Sequence, residues 1–238
     1  MNRQDKIKKI LSHIVIGSTY ANAFENLSEA HIASTIKKFD SYTDPLPALK
    51  GKTDLWKKPG LMPGLTQMML LVLYANRGKR FNRDAFIKMI KESPEINDYD
   101  FGIFRHPSRI EQLALLSVDQ ESLVPPFAPS ARIMTLALSF AFKSKRLEMF
   151  VQDIISLITI FTKDIDTITG AMLSSGILHR LLENEEKHDS LSSIFSGITN
   201  EFVEFFQNSP QVLFDAGLNP DACIDSVNEY NQIGSEVL

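Results

Sequence analysis

Apolar residues recur at three- and four-residue steps along almost every segment of this chain, a period that admits helices and little else. The clearest run is Leu147, Phe150, Val151, Ile154, Ile155, Ile158 and Phe161, which makes one broad apolar stripe. A cap region at Thr162 and Asp164 follows, then a second helix with Ile165, Ile168, Met172, Leu178, Leu181 and Leu182 near one face. Leu65–Ala75 is apolar all round and predicts a central helix with no solvent face. Asn82 reads as the N-cap of a short helix to about Lys91, and Ser108 or Pro107 opens another through Leu116. Ser130–Phe142 is helical beyond the prolines at 125, 126 and 129, and Ile198, Phe202, Phe205 and Phe206 repeat the stripe. No stretch alternates with period two between turn residues, so a sheet is not expected. The fold class is therefore all-α, read as a single compact orthogonal helical bundle over 1–238. Residues 41–63, with four prolines, form its one long loop.

Composition narrows the class. One cysteine, Cys223, excludes an intrachain disulfide and any Cys-rich zinc site, and reads as an inert, partly buried thiol. The longest apolar runs fall far short of the roughly 18 residues that a membrane span requires. Residues 1–182 carry 24 Lys+Arg against 18 Asp+Glu, whereas 183–238 carry 1 against 11. The acidic end reads as a pair of well-solvated C-terminal helices, and the mildly basic body favours an anionic ligand such as a phosphate ester. No like-charge run suggests a nucleic-acid arm. Lys6, Lys8 and Lys9 before Ile10–Tyr20, with Ala21-Asn22-Ala23 after it, imitate a secretory signal. Ser12, His13, Ser18 and Thr19 interrupt that stretch, while Ile7, Ile10, Leu11, Ile14 and Val15 fit a retained amphipathic helix. The expectation is a soluble cytoplasmic protein with no membrane or nucleic-acid partner.

Chemistry-bearing motifs are few. No two of the five histidines stand at helical metal-ligand spacing, and there is no nucleophile elbow or phosphate loop of the Walker type. Asp164-Ile165-Asp166-Thr167 places two carboxylates and a hydroxyl within one helical turn, the oxygen cluster that hard divalent cations favour. The same residues also suit a plain helix start, Asp164 as cap and Asp166 against the dipole.

The order of these segments resembles the ADP-ribosylglycohydrolases of the dinitrogenase-reductase-activating type. Gly17-Ser18-Thr19-Tyr20-Ala21-Asn22-Ala23-Phe24-Glu25 stands where that family has G-x-x-x-G-D-A-L-G, and Pro63-Gly64-Leu65-Thr66-Gln67-Met68 where it has T-D-D-T-x-M. Ala128-Pro129-Ser130-Ala131-Arg132-Ile133 resembles its N-G-x-x-M-R segment, and the helix pair at 145–182 agrees in order and texture. The resemblance implies an all-helical fold, a cleft for ADP-ribose or an ADP-ribosylated protein, and hydrolysis assisted by two Mg²⁺ ions. Asp164, Asp166 and Thr167 would be the metal ligands, by similarity to the family's D-T-D-T, and Asn22 and Arg132 would line the cleft. Chain order equally lets 164–167 match an earlier helix opening of the family.

The departures imply a degenerate member. Pro63, Gly64 and Leu65 replace the family's Thr and two Asp, and Asn22 replaces an Asp. At most half a metal site remains, so Mg²⁺ binding would be weak and hydrolase activity low or lost, as in a pseudoenzyme. Two alternatives are a non-enzymatic helical interaction protein that binds a partner protein and an unrelated bundle with chance motif echoes.

Overall fold

The computed structural model describes residues 2–22, 28–36, 64–76, 80–96, 130–141, 147–183 and 190–237. These residues form only helices: α1 (Arg3–Asn22), α2 (Glu29–Ile36), α3 (Gly64–Ala75), α4 (Arg83–Ile96) and α5 (Ser130–Ala141). Then come α6 (Leu147–Ile158), α7 (Ile165–Glu183), α8 (Leu191–Asn208), α9 (Gln211–Asp215) and α10 (Pro220–Val237). No strand occurs among the described residues, so the all-α reading holds. The proposed loop at 41–63 and the helix at 107–116 lie outside them.

Helix starts follow capping chemistry. Asn82 Oδ1 accepts from Ala85 N at 2.9 Å, Ser190 Oγ from Ser193 N at 3.1 Å, and Asn219 Oδ1 from Asp221 N at 3.0 Å. Pro220 follows Asn219 as the first helical residue, where a missing N–H costs nothing. The turn out of α9 requires Gly217: its φ of 72° closes a paired cap, Leu218 N to Leu213 O and Gly217 N to Phe214 O.

α5 sits centrally, packed on α3 on one side and on α7 on the other, with α6 against both α5 and α7. α8 and α10 pair with each other and close over α7, while α1 lies on α7 and α3. The stripe read in α6 is buried, and the chain turns at Thr159–Phe161 with Ile160 and Phe161 still in the core. Phe161 meets Phe86 of α4 edge-on at 6.2 Å, and Phe86 meets Phe81 at 5.6 Å. A fully buried phenyl such as Phe86 or Phe161 contributes roughly 1.5–3 kcal/mol.

Five expectations are corrected. α3 does have a solvent edge, because Tyr74 is 53% exposed. α4 runs past Lys91 to Ile96, with Pro94 in its last turn. Leu181 does not share the buried face of α7 but stands 42% exposed. The acidic end is neither a pair nor simply solvated: three helices there bury Ile194, Ile198, Phe202, Phe206, Leu213 and Val227. Its negative charge lies on outer faces while the inner faces complete the core. Cys223 is fully rather than partly buried, and burial pushes its thiol up to about 11.

Candidate site at the start of α7

Thr162 and Asp164 set the geometry where the chain leaves α6 and enters α7. Thr162 Oγ1 accepts from Asp164 N at 3.0 Å, fixing the approach. Asp164 Oδ2 then accepts from Thr167 N at 2.8 Å and from Thr167 Oγ1 at 2.6 Å. The carboxylate thus caps the helix through a backbone donor and a hydroxyl at once. Thr167 is fully buried beneath it.

Asp166, two positions further on, faces α10. Its Oδ1 accepts from Ser226 Oγ at 2.8 Å, and Ser226 pairs with Thr169 Oγ1 at 2.7 Å. Arg132 arrives from α5: its Nη2 donates to the Asp166 carbonyl at 2.8 Å and to the Tyr230 hydroxyl at 3.0 Å. Tyr230 in turn donates to the same carbonyl at 3.2 Å. Gly170 makes the approach possible, since a Cβ there would stand 2.9 Å from both Arg132 Cζ and the Tyr230 oxygen. Arg132 Nε is buried and makes no hydrogen bond to a described residue.

Of the sequence-derived site residues, Arg132, Asp164, Asp166 and Thr167 therefore meet at one helix end. Asn22 closes α1, and its side chain lies outside the described residues. Ser226 and Tyr230 were not anticipated. Their four-residue spacing marks one face of α10, but nothing local reveals that this face meets α7 some 60 residues earlier. Among the described residues, no group of three or more His, Cys, Asp or Glu is placed to share a metal ion, and no helix is long and apolar enough to cross a membrane.

Asp153 is a second polar feature that the apolar stripe of α6 conceals. It is 2% exposed, accepts from Arg80 Nε at 2.8 Å and Phe81 N at 3.2 Å, and ties the α3–α4 connection to α6. Burial is the largest influence on its carboxyl and pushes it above the ordinary range, against the opposing pull of Arg80 and Phe81 N.

Comparison with known proteins finds no matching family model, no matching curated protein and no matching solved structure.

Proposed function

We propose that this chain is an ADP-ribosylglycohydrolase-like protein that holds an ADP-ribosyl group at the start of α7 with little or no metal-dependent hydrolysis. The observation that carries the reading is convergence: Arg132 and the 164–167 turn, chosen on separate motif fragments, lie together through the Arg132–Asp166 bond. A guanidinium beside carboxylates suits a ligand with both a diphosphate and ribose hydroxyls. On this reading the helices form a single orthogonal bundle of that family's type, and the protein works in the cytoplasm on ADP-ribose or an ADP-ribosylated protein.

The donor set does not fit two Mg²⁺ ions. Asp164 Oδ2 is engaged by Thr167, and Asp166 Oδ1 by Ser226. At the start of α3, Gly64 and Leu65 offer no side-chain oxygen. Magnesium sheds water reluctantly, so this set supports only weak binding and no step through the metal is derived. The alternative is a non-enzymatic helical interaction protein. It is favoured by the same engagement of Asp164 with Thr167, which already explains both residues as structural.

The test is restoration. A Cβ at Gly64 meets nothing within 4 Å, and an acidic residue suits the first turn of a helix. Leu65, by contrast, packs against the core, so Gly64→Asp with Leu65→Asp costs some packing of α3. Calorimetry with Mn²⁺ should show weak binding by the native chain and tighter binding by the double variant. Tight binding by the native chain contradicts the degenerate site, and no gain in a folded double variant contradicts the family reading.

A further inference from the structure

We propose that the groove between the end of α3 and the start of α4 is a binding site for a small aryl phosphate. The groove holds about 630 Å³ and is lined by Tyr74, Arg80, Phe81, Asn82, Arg83 and Met89, among others. That volume lies within the roughly 300–1,000 Å³ typical of small-molecule sites. It sits at the opposite end of α3 from Gly64, about 15 Å away at 1.5 Å per residue. Its lining shares no residue with the Arg132–Asp166–Tyr230 cluster, so the inference does not depend on the ADP-ribosyl reading.

The lining divides into two kinds of surface. One is cationic. Arg80 spends Nε on Asp153 and Nη2 on Gln152 at 3.2 Å, and Arg83 spends Nη1 on the Ser156 carbonyl at 3.0 Å and Thr159 Oγ1 at 3.1 Å. A guanidinium carries five N–H donors, so these bonds hold each fork in place without exhausting it. Fixed, partly used forks recognise phosphate well, because they can donate two parallel bonds without further ordering. The other surface is apolar and aromatic: Tyr74, half exposed, with Met89 and the largely buried Phe81. A flat ring seated there would leave its phosphate toward the arginines.

Local charge balance points the same way. Burial lowers the basicity of Arg83, and Lys163 is lowered by burial and then by repulsion from Arg83. Asp153 answers Arg80, and Asp84 partly offsets Arg83. A phosphate dianion beside Arg83 would relieve its repulsion of Lys163, whereas a neutral aromatic would not.

The test follows Met89 in [¹³C-methyl]methionine protein, assigned with Met89→Leu, during titration with phenyl phosphate, inorganic phosphate and phenol. Phenyl phosphate should shift the Met89 methyl saturably, and either fragment alone should bind at least about tenfold more weakly. Arg80→Gln should weaken phenyl phosphate about tenfold. Tyr74→Ala, at a position 53% exposed, should weaken phenyl phosphate several-fold and leave inorganic phosphate unchanged. No saturable shift up to about 10 mM phenyl phosphate would overturn the proposal. So would binding indifferent to both variants, or inorganic phosphate binding as tightly as the aryl ester, which would mark a bare anion site.

Discussion

Arg132 reaches from α5 to the backbone carbonyl of Asp166 in the first turn of α7, 2.8 Å from Nη2 to oxygen, and Tyr230 donates to that same carbonyl. Three helices are thereby fastened at one point, since the Arg132 nitrogen also donates to the Tyr230 hydroxyl. Tyr230→Phe removes one oxygen and both of its bonds while keeping the ring beside Arg132. It should cost about 1 kcal/mol of stability in urea unfolding, the usual net value of such bonds. An unchanged midpoint would mean that water replaces the hydroxyl without loss.

Asp164 is the helix cap whatever else it does. Asp164→Ala should destabilise by about 0.5–2 kcal/mol, whereas Asp164→Asn, which keeps an oxygen acceptor, should lose much less. Equal losses in thermal or chemical unfolding would show that charge rather than capping geometry sustains the turn.

Two glycines of α7 separate packing from propensity. At Gly176 a Cβ would stand 3.1 Å from Ile198 and from the ring of Phe202, both buried. Gly176→Ala should therefore be net destabilising by about 1 kcal/mol, overpacking exceeding the helix-propensity gain. At Gly170 the obstacles are the far ends of Arg132 and Tyr230, which can move aside. Gly170→Ala should leave the unfolding midpoint nearly unchanged while displacing Arg132 from Asp166.

How much of this was legible in the sequence depends on the range of the interaction. The stripe of α6, the caps at Asn82 and Asp164 and the helix beginning near Ser130 are local, and the sequence states them directly. Tyr74 turns outward and Leu181 escapes the core because neighbouring helices, not periodicity, decide which edge of an apolar helix stays wet. Asp153 sits inside the broad apolar stripe of α6, and only the fold brings Arg80 to meet it. For the site, Arg132 and Asp166 were each readable as candidates. Their pairing with Ser226 and Tyr230 depends on α10 folding back across α7, which no local pattern encodes.

His179 makes stability depend on pH. Its ring packs on Phe150 with centroids 5.2 Å apart, and burial is the largest influence lowering it from the usual 6.5, with Glu183 opposing. A depressed histidine contributes stability that is present above its unfolded value and lost as pH falls through its folded one. The melting temperature of the native chain, measured relative to that of His179→Gln, should fall as pH drops below about 6.5. A pH-independent difference would contradict the assignment.

Calorimetric titration with ADP-ribose in the absence of metal tests the central claim most directly, run on the native chain and on Arg132→Gln. The account predicts saturable binding by the native chain that Arg132→Gln weakens at least about tenfold, the scale of a lost charge-assisted contact. Absence of native binding, or binding that Arg132→Gln leaves intact, would contradict it.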